Sequence, residues 1–65
     1  MVGKTGRVTG RIGPGLVGEV MVAIRGGSEA FNAYPYLGEE IAVGELVVVM
    51  EYHDPRTVYV SPARG

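Results

Sequence analysis

The sequence predicts an all-β protein, a small five-stranded Greek-key β-barrel of the oligonucleotide/oligosaccharide-binding (OB) type. Three observations support this prediction: the 65 residues include 11 glycines, short segments alternate between apolar and polar residues, and no segment has the periodicity of a long helix. The alternation places strands at about residues 5–12, 16–25, 28–34, 45–53 and 57–61. A chain of this length has room for one domain, residues 1–65, and an SH3-like barrel is the nearest alternative fold.

The first two strands follow from period-two alternation of apolar and polar side chains. Gly10 indicates a bend or a close backbone approach in the first strand. Gly13-Pro14-Gly15 then forces a turn. In the second strand the residues expected outside are Glu19, Met21, Ala23 and Arg25, and those expected in the core are Val20, Val22 and Ile24.

The third strand follows a two-residue hairpin turn at Gly26-Gly27, where both glycines accept a positive φ. The residues expected in the core are Phe31 and Ala33, and those expected outside are Ala30 and Asn32. Pro35 has no N–H to donate, so strand pairing is expected to weaken there.

The fourth strand contains the longest unbroken apolar run of the chain, Leu46–Met50, with three consecutive valines. Valine favours strands because its branched side chain is stiff at χ1 and packs well on a pleated sheet. Alternation divides the run into two apolar faces, which are Val47 with Val49 and Leu46 with Val48 and Met50. The strand is therefore expected to be central or to be covered on its outer face.

The fifth strand follows a tight turn at His53-Asp54-Pro55-Arg56. Val58 and Val60 are expected to point inward and Tyr59 outward. Pro62 ends the strand, and Ala63-Arg64-Gly65 is expected to be a frayed tail.

Four apolar residues are predicted to face away from the core and form the candidate partner surface: Met21, Leu46, Val48 and Met50. If strands two and four lie near one another, these side chains make an apolar outer patch, and such patches often mark interaction surfaces. In the alternative, the loop Tyr36–Val43 folds over them. Two residues of that loop, Ile41 and Val43, are expected to plug one end of the barrel.

The composition argues against several classes of function. The formal net charge of -1 at pH 7 disfavours strong attraction to nucleic acid or anionic lipid. Without cysteine the chain has no disulfide and no thiolate metal site. Residues 1–11 lack the apolar segment of a signal peptide, and no stretch is long enough to span a bilayer.

No arrangement of residues predicts a catalytic, metal or cofactor site. Residues 13–18 match the pattern G-x-G-x-x-G, but a strand follows where a dinucleotide site needs a helix. His53, the only histidine, lacks converging partner residues for metal binding or proton transfer. The adjacent carboxylates Glu39-Glu40 are expected to be solvated. We therefore predict a protein that is not an enzyme.

Single-stranded nucleic-acid binding is the alternative function, because OB barrels use aromatic side chains flanked by basic ones for this purpose. The available aromatics are Phe31, Tyr34, Tyr36, Tyr52 and Tyr59, and the flanking bases are Arg7, Arg11 and Arg25. The interleaved acids that weaken the attractive field are Glu19, Glu29, Glu45 and Glu51. Nucleic acid is therefore not the expected partner.

An ordered set of motifs runs through nearly the whole chain. Its parts are Gly3-Lys4-Thr5-Gly6, the turn Pro14–Gly18, Val20 with Val22, Ala30–Ala33, Ile41-x-x-Gly44-x-x-Val47-x-Val49 and Val58-x-Val60-x-Pro62. The last two motifs are the most specific. Together the motifs resemble the C-terminal soluble domain of the NfeD family.

The resemblance implies an OB-like barrel tethered behind transmembrane helices, at the cytoplasmic face of a membrane. It also implies stomatin- or flotillin-like partners and a role in membrane protease regulation or membrane-protein quality control. Longer family members carry a Clp-type serine protease part that is not recognised in this sequence, so no catalytic residue is carried over. We expect a protein-interaction module without a cofactor that self-associates weakly at most and meets the membrane through other segments.

Overall fold

The computed structural model describes residues 1–63, which form five strands: β1 Thr5–Gly10, β2 Gly18–Ile24, β3 Gly27–Pro35, β4 Leu46–His53 and β5 Thr57–Pro62. The strands close into a barrel in the order β1-β2-β3-β5-β4, with β4 paired to β1. All neighbouring strands are antiparallel except β3 and β5, which are parallel. The predicted all-β, five-stranded OB-like barrel is confirmed.

The core is filled mainly by β-branched side chains that alternate along the strands. The buried apolar residues are Val8, Ile12, Val20, Val22, Phe31, Ala33, Ile41, Val47, Val49, Val58 and Val60. Val47 and Val49 have no exposed surface, whereas Leu46 on the opposite face of β4 is 49% exposed. The predicted division of β4 into an inner and an outer face is therefore correct. Ile24, also predicted in the core, is half-buried and packs against it.

Strand β1 ends two residues earlier than predicted, and β2 begins two residues later. The reason is that the backbone of Gly18 lies very close to the side chain of Ile12. If residue 18 had a Cβ atom, that atom would be 2.5 Å from Cγ1 of Ile12. The chain turns before this contact, and the Leu16 N–H donates to the Gly13 carbonyl at 3.1 Å. Ile12 leaves the β1 ladder and pairs with Ile41 through two backbone hydrogen bonds, 3.0 and 2.9 Å long.

Ile12 and Ile41 are both fully buried at the barrel end that their bridge closes. The expected two-residue plug is correct for Ile41 and wrong for Val43, which is 61% exposed. Val43 lies instead in a turn where the Glu45 N–H donates to the Ala42 carbonyl at 3.2 Å.

The turn between β2 and β3 lies at Arg25-Gly26, one residue before the predicted Gly26-Gly27. Arg25 and Gly26 have positive φ angles of 43° and 77°, as a two-residue hairpin turn of type I′ requires. Gly27 is opposite Ile24 and starts β3. The strand register thus gives a non-glycine residue, Arg25, the left-handed backbone conformation.

Strand pairing continues through Pro35, where weakening was expected. Pro35 lies opposite Val60 in the parallel ladder, and the next residue, Tyr36, donates its N–H to the Val60 carbonyl at 2.8 Å. Because Tyr36 supplies the donor, the ladder does not need an N–H from Pro35.

The end of β5 is followed by Ala63, whose N–H donates to the Leu46 carbonyl at 2.9 Å. The expectation of a frayed tail is therefore wrong for Ala63. For Arg64 and Gly65 it lies outside the described residues.

Candidate interaction surface

The four residues predicted to form the partner surface lie on two strands that are not neighbours. Arg7 of β1 is opposite Met21 of β2 on one side and opposite Leu46 of β4 on the other. Its guanidinium donates to the Gly44 carbonyl at 2.8 Å, and β1 therefore separates the two apolar residues with a charged one. The condition for one four-residue patch, adjacency of strands two and four, is not met.

The other three residues, Leu46, Val48 and Met50, lie along β4, and we call them the apolar stripe. Leu46 and Met50 are 49% and 38% exposed, and Val48 is half-buried. Val48 lies between Thr5 of β1 and Ser61 of β5, so its flanking residues are small and uncharged. The stripe is therefore an accessible apolar surface on the outside of the barrel.

The loop Tyr36–Val43 packs at one end of the barrel. Ile41 enters the core there. Other residues of the loop border a shallow cleft beside the end of β5, which is lined by Leu37, Glu39, Glu40, Ser61 and Pro62. Leu46 and Met50 stay exposed, so the loop does not cover the stripe as the alternative supposed.

A cluster that sequence analysis missed lies beside the stripe, on the outer faces of β3, β5 and β4. We call it the tyrosine patch, and it consists of Tyr34, Tyr59, His53 and Glu51. The rings of Tyr34 and Tyr59 have centroids 5.5 Å apart and are tilted by 31°. His53 meets Tyr59 edge-on at 5.2 Å, and its Nε2 lies 3.0 Å from Oε1 of Glu51.

Two features of register create the tyrosine patch. The parallel β3–β5 ladder places Tyr34 opposite Tyr59, whereas alternation predicts only that both point outward. A bulge between Val49 and Glu51 then shifts the phase of β4, so that Glu51 lies opposite Tyr59. Neither the register nor the bulge has a clear signal in the sequence.

A second aromatic and acidic cluster lies near the β4–β5 turn, and it already contains a cation of the chain. The guanidinium carbon of Arg56 lies 5.7 Å from the ring centroid of Phe31. Its Nη1 donates to the Ala30 carbonyl at 3.1 Å and lies 3.3 Å from Oε1 of Glu29. Tyr52 meets Phe31 edge-on at 6.3 Å. Arg56 thus ties the turn to β3.

The Tyr52 hydroxyl donates to the Pro55 carbonyl at 2.9 Å, and Asp54 is the neighbour with the largest effect on its pKa. Hydrogen bonding to Asp54 raises the pKa of the Tyr52 phenol, and desolvation and nearby negative charge raise it further, because each favours the neutral form.

The polar and charged side chains of residues 1–63 reach the surface of the barrel. Within residues 1–63 no polar or charged side chain is buried, and no group of three His, Asp or Glu residues could hold a metal ion. The same part of the chain contains no helix of the length and apolar character needed to cross a membrane.

The geometry does not favour the nucleic-acid alternative. Tyr34 and Tyr59 lie on strands β3 and β5, and neither these strands nor β4 contains a Lys or Arg. The carboxylate of Glu51 lies in the same patch and repels phosphate. Of the predicted flanking bases, Arg7 lies on β1, Arg11 directly follows β1, and Arg25 lies in the β2–β3 turn.

The comparisons with known proteins agree with this fold. The family model described as NfeD C-terminal domain matches residues 5–61. The soluble domain of the NfeD protein YuaF from Bacillus subtilis is similar at a TM-score of 0.84 and 24% identity, over 97% of this chain and 74% of that chain. The C-terminal domain of stomatin operon partner protein 1510-C from Pyrococcus horikoshii is similar at a TM-score of 0.72 and 31% identity, over 100% of this chain and 91% of that chain.

No curated protein sequence has a significant match to the chain. The family model nevertheless covers almost every residue of the barrel, from the start of β1 to the penultimate residue of β5. The resemblance predicted from the motifs is confirmed, and the chain belongs to the NfeD family as an NfeD C-terminal domain.

Proposed function

We propose that this domain is a non-catalytic protein-interaction module of a membrane-associated NfeD-like protein. It docks on a stomatin- or flotillin-like partner at the cytoplasmic face of the membrane, and this docking serves membrane protease regulation or membrane-protein quality control. The observation that carries the proposal is the apolar stripe, which keeps Leu46 and Met50 accessible on the outside of the barrel.

The chemistry of the stripe supports a protein partner. Its strand β4 and the adjoining β5 contain one charged residue, Glu51, and no Lys or Arg. Covering the stripe therefore removes apolar surface from water at little cost in desolvated charge. The flexible thioether side chain of Met50 can adapt to the shape of a partner.

The comparisons support the class of partner. One similar structure is named as part of a stomatin operon partner protein. The soluble domains of the NfeD family belong to membrane-associated proteins. A stomatin-like protein is thus the first partner to test.

The test compares two double variants that add the same charge to different faces. Val48→Lys with Met50→Lys alters the apolar stripe, and Thr9→Lys with Ala23→Lys alters exposed positions on β1 and β2. Binding to a purified stomatin-like protein of the same organism is measured by calorimetry, and folding by circular dichroism. We expect the stripe variant to stay folded and to lose binding at least about tenfold, because charged groups would be desolvated in the interface.

The control variant is expected to bind like the unmodified domain. Unfolding of the stripe variant would mean that the stripe is part of the core. Equal binding by the two variants would place the interface elsewhere. Either result overturns the proposal.

A further inference from the structure

We infer that the tyrosine patch is a receptor for an arginine side chain of the partner protein. This inference rests on the proposed function and deepens it. The patch adjoins the apolar stripe on two strands. On β4, Glu51 of the patch directly follows Met50 of the stripe. On β5, Tyr59 of the patch lies two residues before Ser61, which is opposite Val48 of the stripe. An arginine anchored there gives the docking face a charged contact beside an apolar one.

The chain contains an internal example of the same recognition. Arg56 lies over the ring of Phe31, 5.7 Å from its centroid, and 3.3 Å from the carboxylate of Glu29. A ring face, a carboxylate and the Ala30 carbonyl, at 3.1 Å from Nη1, together hold one guanidinium in this arrangement. The arrangement shows that an aromatic ring and a carboxylate of this barrel can take part in positioning one arginine.

The tyrosine patch has half-buried aromatic rings and a carboxylate, and its strands supply no Lys or Arg. No Lys or Arg occurs in β3, β4 or β5, and the cation–π contact found within residues 1–63 is that of Arg56 on Phe31. The patch contains one carboxylate, that of Glu51. It is thus complementary to a positive group from another molecule.

The Glu51 carboxylate can accept further hydrogen bonds from such a positive group. Its side chain is half exposed, and one of its two oxygens lies within 3.0 Å of His53. A carboxylate has about four lone-pair sites, so a second donor can bind without displacing His53.

Arginine fits the patch better than lysine does. A guanidinium is planar, stacks on aromatic faces and forms two parallel hydrogen bonds to a carboxylate, whereas an ammonium is a compact, strongly hydrated charge. Arginine is also enriched at the energetic centres of protein interfaces, together with tyrosine.

The test uses a capped tripeptide, acetyl-Gly-Arg-Gly-amide, titrated into the domain and followed by the NMR signals of the tyrosine ring protons. The same peptide with citrulline in place of arginine is the probe control, since it has nearly the same shape without the charge. We expect the arginine peptide to shift the Tyr34 and Tyr59 signals at millimolar concentration and the citrulline peptide to leave them unchanged.

Two glutamate variants test which carboxylate is used. Glu51→Gln should weaken binding of the arginine peptide about threefold or more, and Glu29→Gln, which alters the cluster of Arg56, should leave it unchanged. Tyr59→Leu should remove the effect, and Glu51→Gln provides the answer if Tyr59→Leu unfolds. Absence of shifts, equal shifts with citrulline, or full binding by Glu51→Gln would overturn the arginine site.

Partner binding separates this inference from the proposed function. If Val48→Lys with Met50→Lys abolishes binding to the stomatin-like protein while Glu51→Gln retains it in full, the docking face stands and the arginine anchor is overturned. If the stomatin-like protein does not bind the unmodified domain but the arginine peptide does, the proposed function is overturned and recognition by the patch stands.

Discussion

The outer face of β1 and β2 differs from the outer face of β4 and β5 although both belong to one small barrel. On the first face polar groups bond within the chain, with Arg7 donating to the Gly44 carbonyl at 2.8 Å and Thr9 to the Glu19 carboxylate at 2.7 Å. The second face presents the apolar stripe and, with β3, the tyrosine patch. A face whose polar groups already form hydrogen bonds within the chain gains little binding free energy from a partner. An apolar face gains binding free energy when a partner covers it and removes it from water.

The largest expected effect tests the division of β4 into an inner and an outer side. Val49→Lys places a charge in the core, where Val49 has no exposed surface, and should cost about 4 kcal/mol or more and unfold the domain. Val48→Lys on the outer side should cost about 1 kcal/mol at most. Thermal unfolding followed by circular dichroism measures both, and similar melting of the two variants would refute the division.

An intermediate effect is expected when the polar face is made more like the apolar one. Arg7→Ala removes the hydrogen bond to Gly44 and the charge between Met21 and Leu46, so the two apolar side chains become parts of one surface. We expect a loss of about 1 kcal/mol of stability and stronger self-association at high concentration. Sedimentation velocity measures the association, and a strictly monomeric variant would show that Arg7 does not limit this surface.

The smallest effect is expected at Thr9. Thr9→Val removes an exposed hydrogen bond to Glu19 but keeps a β-branched side chain, so stability should change by about 0.5 kcal/mol or less. Binding to the partner should not change, because Thr9 lies on the polar face. A clear loss of affinity in calorimetry would move the interface toward β1 and β2.

Alternation predicts this fold well because a barrel buries one side of every strand. Val47 and Val49 of β4 are inward as expected, as are Val58 and Val60 of β5 and the pair Phe31 and Ala33. Alternation fails where the fold depends on contacts between distant segments. The bridge between Ile12 and Ile41 and the close approach at Gly18 shorten two predicted strands.

The candidate site was predictable only in part for the same reason. The apolar stripe follows from periodicity within one strand, and Leu46 and Met50 are exposed as expected. Arg7 separates Met21 from the apolar stripe because of the strand order. The tyrosine patch depends on the parallel register of β3 and β5 and on the bulge in β4. These are properties of the closed sheet and not of any one segment.

Chemical-shift mapping of the isotopically labelled domain with the stomatin-like protein tests the central account most directly. The account predicts perturbed backbone amides along Leu46–Glu51 and at Tyr59 and Ser61, with Thr9 and Glu19 unchanged. Perturbations concentrated on β1 and β2, or none at saturating partner, would contradict it.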